Sequence, residues 1–438
     1  MSGLNREQKE AVGLLSIGTF LEFFDLMLYL HMAVLLNELF FPKTDPHTAA
    51  LLSAFTFCST FVFQPISALI LGWIGDNIGR KATVIMTTFI MAVSCLVMAN
   101  LPTYEQIGVA ASWIMVICRI SQGLSSMGEI VGAEVYLTEV IKPPLQYPVV
   151  TIIAVFSILG GNAALALASF VTSYGLNWRM AFWMGAGIAM VGVVARTTLR
   201  ETLDFANAKS RIKKTFEEAD INADLLENSF LFKEEINIKT IAALSIIQCG
   251  WPICFYFSYI HCGNIFKNVF GYTAEQVIHQ NFISSIANLV GYIIITYLCY
   301  KIHPLKILKV KLIIFSIFIM LCPYLLYHLS TPLELSLIQS FSMLFILSTN
   351  PAMSVLYTHL PVFKRFTCAT LIFAISRALM AVVTSFGFIY LIEYYGHWGL
   401  LIIMAPLCIG FAFGLNHFEK LEIKAGRYHH QKKKLAIS

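Results

Sequence analysis

The sequence has little charge. Asp, Glu, Lys and Arg make up 13% of its 438 residues, whereas apolar residue types make up 58%. Since a soluble domain carries about 25% charged residues, this chain could not cover the surface of a water-soluble globule. The shortage excludes a soluble enzyme, a nucleic-acid-binding protein and a disordered scaffold, and a net charge of +5 does not alter that. The solvent of most of the chain is therefore expected to be lipid.

Motifs for several other chemistries are also absent. The sequence has no G-x-x-x-x-G-K-[ST] loop, which argues against an ATP-driven pump, and no H-E-x-x-H or G-x-S-x-G motif of a membrane-embedded enzyme. Its ten cysteines form no C-x-x-C pair, and the spacing of Cys249, Cys254 and Cys262 beside His261 fits no zinc pattern. We therefore predict buried, apolar cysteines, no metal site and no cofactor.

What the sequence has in excess is long apolar runs. A helix that crosses the hydrocarbon core needs about 20 apolar residues, and uniformly apolar runs of this length suit helices better than the alternating strands of a barrel. The prediction is an all-α membrane protein with twelve transmembrane helices in two six-helix halves. The twelve runs lie at 11–38, 48–73, 83–99, 106–138, 148–173, 178–199, 239–262, 276–300, 307–327, 333–357, 366–393 and 397–418.

The charged residues are concentrated between these runs. Residues 200–238 form the longest polar stretch, which we interpret as a solvated connector with no activity of its own. Most lysines and arginines, Lys309 and Lys311 among them, fall in inner segments if the N-terminus is inside, so both termini are expected in the cytoplasm. The predicted units are an N-terminal half at 1–199, a cytoplasmic linker at 200–238, a C-terminal half at 239–418 and a cytoplasmic tail at 419–438.

Four charged residues lie near the middle of an apolar run, where an ionisable side chain is costly and marks a candidate functional site. They are Glu22, Asp25, Arg119 and Arg377. We expect Asp25 to pair with Arg119 at midplane depth. The arginine would favour the charged carboxylate and burial would disfavour it, so that Asp25 could bind and release a proton. The alternative is a static ion pair that locks two helices together.

The other two midspan charges also have two interpretations each. Glu22 shares a helix face with Asp25, and repulsion between them favours a proton on one carboxylate, unless Glu22 only hydrogen-bonds a neighbouring helix. Arg377 suits a bidentate contact with a substrate carboxylate, or it pairs with a backbone carbonyl or a distant acid. His31 is interpreted as a packed residue.

Glycine and proline interrupt several runs, and broken helices are tolerated where they line a cavity. Breaks at Gly250–Pro252 and Asn350–Pro351 bring polar and aromatic side chains to such positions. The candidate solute contacts there are Gln248, Trp251, Tyr256 and Asn350, with Trp251 and Tyr256 offering ring faces to a cationic group. The alternative for the aromatic residues is ordinary packing.

One loop has the pattern of a known family. Residues 72–81 read GWIGDNIGRK and resemble the G-x-x-x-D-[RK]-x-G-R-[RK] loop of the major facilitator superfamily, with Asn77 in place of a base. The resemblance implies a charged latch between helices on the inner face that stabilises the outward-open state. It assigns gating roles to Gly72, Asp76, Gly79, Arg80 and Lys81, with Glu139 as the acidic partner.

Two further segments resemble one branch of that superfamily, the metabolite:proton symporters, which include proline/betaine, 2-oxoglutarate, citrate and shikimate carriers. They are RISQGLSSMGEIVGAEVYLTE at 119–139 and GTFLEFFDLMLY at 18–29. The resemblance implies that Asp25 and Arg119 belong to the coupling site. Gln122 and Glu129 match the same motif, as a substrate contact and a gating residue, whereas Glu134 has no counterpart in it.

The resemblance implies a secondary active transporter in the bacterial inner membrane. It would take up a small polar solute, such as an amino acid, a betaine or an organic acid, together with protons, by alternating access. Its expected partners are that solute, protons and the lipid bilayer, with no nucleic acid, and the chain is expected to be monomeric. An uncoupled facilitator or exchanger would keep transport after Asp25 is neutralised, and a transport-dead sensor would bind a solute without flux.

Overall fold

Every regular element in the computed structural model, which describes residues 4–43, 45–77, 80–126, 129–198, 237–361 and 365–428, is a helix. Seven helical stretches of these residues are long and apolar enough to cross a bilayer. The described helices group into twelve passes, which we number α1 to α12. The predicted all-α fold with two six-helix halves is confirmed.

The N-terminal half holds α1 to α6. Its first pass begins with a capping box in which Asn5 and Gln8 satisfy each other's backbone N–H groups, and Asp45 caps the second through the N–H of Thr48. The bounds are α1 Arg6–Phe40, α2 Pro46–Val62 and Gln64–Asn77, α3 Arg80–Asn100, α4 Val109–Ser125 and Glu129–Val140, α5 Gln146–Ser173, and α6 Arg179–Thr198.

The C-terminal half holds α7 to α12, and two of its passes are broken. In α7 a π-helical turn spans Tyr256–His261, and in α10 a 3₁₀ turn spans Asn350–Ala352. The bounds are α7 Ile238–Gln248, Gly250–Phe255 and Cys262–Asn268, α8 Ala274–Lys301, α9 Pro304–Tyr327, α10 Pro332–Leu344 and Met353–Tyr357, α11 Arg365–Tyr395, and α12 Gly399–Lys424.

The breaks of α7 and α10 approach each other at a glycine. A Cβ on Gly250 would lie 2.6 Å from the backbone oxygen of Leu347. The missing side chain therefore lets the backbones of the two irregular segments approach closely. Polar residues of both segments meet there, as Gln248 and Thr349 do.

The boundaries between the predicted units are only partly covered. Residues 199–236 and 429–438 lie outside the described residues, so the linker and the end of the tail stay predictions. Helix α12 continues to Lys424, past the expected boundary at residue 418.

The two halves meet along two seams, where α5 packs against α8 and α2 packs against α11. Polar contacts join the halves at both ends of these seams. At the end where α1 begins and α12 ends, which we call the terminal end, Arg365 Nη1 lies 2.8 Å from Glu139 Oε1. At the opposite end, Lys267 pairs with Glu38, and His47 Nδ1 lies 3.3 Å from Glu393 Oε2. A central cavity lies between the two ends.

Candidate functional site

The cavity has a volume of about 60 Å³ and is lined by both halves. Helices α1, α4 and α5 supply its walls from the N-terminal half, and α7, α8, α10 and α11 from the C-terminal half. The polar side chains and tryptophan that line it are His31, Ser157, Asn162, Gln248, Trp251, Tyr259, Asn288, Ser348, Thr349, Asn350 and Arg377. Of the predicted solute contacts, Gln248, Trp251, Asn350 and Arg377 are therefore brought together.

Arg377 is the cation of this cavity wall. Its guanidinium carbon lies 4.6 Å from the ring centroid of Trp251 and 4.2 Å from that of Phe373. The negative faces of the two rings hold the planar cation in one orientation. Glu22 of α1 and Glu134 of α4 are close enough to act on its charge. Arg377 lines the cavity, where a ligand can accept hydrogen bonds from its guanidinium.

Amide side chains add both donors and acceptors to the wall. Asn350 Nδ2 donates to the Tyr292 hydroxyl at 3.3 Å, and Gln248 Oε1 accepts from the Thr349 hydroxyl at 3.2 Å. The buried carbonyl oxygen of Asn288 has no hydrogen-bond partner among the described residues. Because an unsatisfied buried acceptor is costly, this oxygen is a candidate contact for a ligand N–H or ammonium group.

An aromatic stripe runs along α7 beside these groups. Trp251, Phe255 and Tyr259 are spaced four residues apart, with successive ring centroids at 4.9 and 4.8 Å. His31 of α1 completes the stripe at 5.0 Å from the Tyr259 ring. His31, which was expected to be a packed residue, is 5% exposed and also borders the cavity.

Tyr256 lies elsewhere. It borders a smaller pocket with Tyr29 and packs edge-on against the Phe57 and Phe388 rings at 5.4 and 5.5 Å. Its hydroxyl donates to the backbone oxygen of Ser385 at 3.4 Å. The predicted solute contact at Tyr256 is therefore corrected to packing, because a residue five positions after Trp251 faces away from the stripe.

Arg119 also lies outside the cavity wall. It is 0% exposed, its guanidinium carbon sits 3.8 Å from the Tyr29 ring centroid, and Nη1 donates to Gln122 Oε1 at 2.6 Å. Its Nε and Nη2 atoms have no hydrogen-bond partner among the described residues. The direct ion pair expected with Asp25 is thus not formed. Tyr29, one turn along α1 from Asp25, covers the face of the cation instead.

Asp25 and Gln122, the partner of Arg119, both lie near Cys95. Gln122 Nε2 lies 3.5 Å from the sulfur of Cys95. The Cys95 sulfur and Asp25 Oδ1 are both near Gly185, since each lies 3.9 Å from the position that a Cβ atom on this glycine would take. The carboxylates of Asp25 and Glu22 are buried, with 3% and 9% of the residue exposed. Their role in proton coupling stays a prediction.

The predicted gating residues are only partly visible. Gly72, Asp76, Arg80 and Lys81 fall at the facing ends of α2 and α3, but their side chains, that of Glu129 and all of Gly79 lie outside the described residues. Glu139 is exposed and pairs with Arg365 of the other half, a partner that the sequence did not suggest.

One basic residue counted with the inner segments is buried. Lys311 is 5% exposed inside α9, with Nζ 5.5 Å from the Tyr292 ring centroid. Among other residues of the interior, Asn288 was missed, and Asn162 and Glu134 were given no role. A neutral amide within an apolar run does not stand out in the sequence. Glu134 does, because it is an ionisable residue within an apolar run, as Glu22 is.

Twelve helical passes in two halves around a central cavity are the architecture of many secondary transporters. The chain belongs to the major facilitator superfamily, since the family model described as Major Facilitator Superfamily matches residues 15–384. Members of this family are transporters and not enzymes.

Several curated transport proteins are similar to this chain in sequence. The inner membrane metabolite transport protein YhjE of Escherichia coli K12 is 34% identical over 225 residues, which cover 48% of this chain and 50% of that protein. The proline/betaine transporter of the same strain is 27% identical over 214 residues, covering 47% and 43%. The citrate-proton symporter of Salmonella typhi is 31% identical over 205 residues, covering 44% and 46%. The chain thus spans about half the length of the curated relatives it matches.

Solved structures share the fold over nearly the whole chain. The proton:xylose symporter XylE has a TM-score of 0.72 at 15% identity, over 95% of this chain and 96% of that one. The human organic anion transporter MFSD10 has a TM-score of 0.69 at 15% identity, over 94% and 100%. At this level of identity the likeness is one of fold alone.

Proposed function

We propose that the protein takes up a small polar solute with a carboxylate group, such as an amino acid, a betaine or an organic acid, together with protons. The observation that carries this proposal is Arg377, whose hydrogen-bond donors face the cavity from a fixed position between two aromatic rings. A guanidinium in such a place binds a carboxylate through two parallel hydrogen bonds.

The size and lining of the cavity support a small, amphiphilic solute. A cavity of about 60 Å³ accommodates roughly four to six water molecules. The free carbonyl oxygen of Asn288 suits the nitrogen end of an amino acid, and the stripe of Trp251, Phe255 and Tyr259 suits a methylated ammonium. A carboxylate at Arg377 and a cation at the stripe would use both ends of a zwitterion.

Proton coupling is supported by the carboxylates of the N-terminal half. Glu22 and Asp25 are buried at midspan, where an ionised carboxylate is costly and protonation relieves the cost. We assign the proton to Asp25, with Glu22 and Arg119 as its charged neighbours, and alternating access to rocking of the two halves about the cavity.

The proposed location is a bacterial inner membrane, with the terminal end facing the cytoplasm and the chain acting as a monomer. The excess of basic residues in segments of that end supports the orientation. The names of the relatives, an inner membrane protein among them, support the membrane.

The test is an uptake panel in cells that express the chain. Labelled proline, betaine, several other amino acids, 2-oxoglutarate and citrate are offered with and without a protonophore, beside Asp25→Asn. We expect one solute to accumulate, and both the protonophore and the substitution to abolish its accumulation. Uptake that survives both would replace coupling by a facilitator or exchanger. Saturable binding of a solute without flux would replace transport by sensing.

A further inference from the structure

We propose that Glu134 carries a proton at the interface between the halves and releases it to the terminal end when that end opens. The proposal rests on the proposed proton coupling and adds a release site to it. Glu134 belongs to the second segment of α4, outside the motif residues that the family resemblance assigns.

The carboxyl group of Glu134 is buried between the two halves. The residue is 1% exposed, and Oε2 accepts a hydrogen bond from the Tyr357 hydroxyl of α10 at 3.2 Å. Its Oε1 atom has no hydrogen-bond partner among the described residues. One neutral donor does not offset the cost of burying an ionised carboxylate, so the closed interface favours the protonated acid.

The groups that face Glu134 come from three helices of the other half. They are the hydroxyls of Tyr357 on α10 and Tyr292 on α8, and the guanidinium of Arg377 on α11. On its own helix, the Thr138 hydroxyl donates to the backbone oxygen of Glu134 at 2.6 Å and leaves the carboxyl untouched. Among these facing groups, Arg377 is the cation, and it also lines the cavity.

The position along α4 makes Glu134 part of a closure at the terminal end. Ile130, one turn earlier, lines the cavity, whereas Glu139, more than one turn later, pairs with Arg365. Separation of α4 from α10 and α11 would remove the Tyr357 donor and admit water. The O–H bond of the Glu134 carboxylic acid then breaks, the proton passes to water, and a carboxylate remains.

Arg377 connects this proton to the solute. While a solute carboxylate occupies the guanidinium, that charge is balanced and Glu134 keeps its proton. Once Glu134 is ionised, its carboxylate competes for the same cation and favours departure of the solute. Proton release and solute release are therefore expected on the same side of the membrane and in the same step.

The first test observes the proton directly on the purified protein, with no solute added. Difference infrared spectroscopy between acidic and alkaline buffer is recorded for the wild type and for Glu134→Gln. We expect a carbonyl band of a protonated carboxylic acid that the variant lacks. The matched control is Glu105→Gln, which makes the same chemical change at an exposed surface ion pair and should keep the band. Identical wild-type and Glu134→Gln spectra at every pH would overturn the proposal.

The second test measures coupling in proteoliposomes with labelled proline as the probe. Glu134→Gln should lose accumulation driven by a pH gradient, down to an inside-to-outside ratio of about one, yet keep exchange of labelled for unlabelled proline. The reason is that glutamine imitates the protonated acid and cannot release a proton. Full gradient-driven accumulation by Glu134→Gln would refute the release site while leaving proton coupling intact.

Failure of the proposed function has a different outcome. If the wild type accumulates no proline in response to a pH gradient, the infrared band still shows whether Glu134 holds a proton. If Glu134→Gln is not recovered in the membrane, Tyr357→Phe replaces it. Loss of the hydroxyl donor should shift the pH at which the band disappears, and an unshifted band would count against the proposal.

Discussion

The two buried arginines, Arg119 and Arg377, have similar surroundings but different roles. Both cations lie over aromatic rings inside the membrane-spanning bundle, Arg119 over Tyr29 and Arg377 over Trp251 and Phe373. Arg119 is sealed and bonded to Gln122 of its own helix, whereas Arg377 opens onto the cavity. The difference indicates that Arg119 fixes the interior of the N-terminal half and that Arg377 is the cation available to a solute.

The largest effect should come from removing the cavity cation. Arg377→Ala would leave a solute carboxylate without its partner and is expected to weaken binding by about 2–5 kcal/mol, enough to abolish measurable uptake. The measurement is saturation of uptake with increasing solute concentration. Arg377→Lys keeps the charge and loses the bidentate geometry, so an intermediate loss is expected. Normal uptake by Arg377→Ala, with the protein in the membrane, would make the two arginines equivalent and break the comparison.

The next largest effects should come from substituting Gln122 and Gln248. Gln122→Ala removes the acceptor of Arg119 Nη1 and should destabilise the protein by about 1–3 kcal/mol, because a buried donor is left unsatisfied. The expected readout is a lower Tm in detergent with little change in KM. Gln248→Ala, the matched change at the cavity wall, should instead raise KM with little change in Tm. If Gln122→Ala instead raised KM and Gln248→Ala lowered Tm, Arg119 would be the arginine that binds the solute.

The sequence predicted the fold and part of the site for different reasons. The fold follows from composition, because a chain with so little charge must be solvated by lipid and satisfy its backbone within helices. Arg377, Gln248 and Asn350 were identifiable because a charge at midspan or a polar residue at a helix break is costly unless it has a use. These features are properties of a single helix and need no knowledge of its neighbours.

The remaining residues depend on how the helices pack. Asn288 and His31 line the cavity only because α8 and α1 turn those faces toward the other half. Among the described residues, Arg119 contacts Tyr29 and Gln122 where a direct pair with Asp25 was predicted, and spacing along the chain does not reveal these neighbours. Lys311 is buried because its helix begins at Pro304, seven residues before it, and carries it into the interior.

The ring beneath each arginine offers a finer comparison. Trp251→Leu removes one of the two faces that orient Arg377 and should cost solute binding about 0.5–2 kcal/mol, seen as a higher KM. Trp251→Phe keeps a face and should recover most of the loss. Tyr29→Leu makes the corresponding change under Arg119 and should lower Tm while KM stays near the wild-type value. An equal rise of KM in both leucine variants would contradict the assignment of solute binding to Arg377 rather than Arg119.

The smallest effect supplies a baseline, since it concerns helix caps that touch neither arginine. Two helices begin with the same capping box except for one charge: α10 uses Thr331 with Glu334, and α8 uses Thr273 with Gln276. The backbone N–H groups of Ser330 and Thr331 donate to the Glu334 carboxylate at 2.7 and 3.3 Å, and they hold its pKa below the ordinary value of 4.5.

The sign of the pH effect follows from that depressed pKa. A carboxylate whose pKa is lower in the folded protein contributes stability above its unfolded value, and the contribution is lost as the pH falls through the folded value. Tm should therefore drop slightly as the pH is lowered through and below 4.5, and this part of the drop should vanish in Glu334→Gln, which converts the α10 cap to the neutral type of α8. Uptake at neutral pH should be unchanged. An acid-induced loss of Tm that is the same in wild type and variant would assign it to other carboxylates, with the buried Glu22, Asp25 and Glu134 next to be tested.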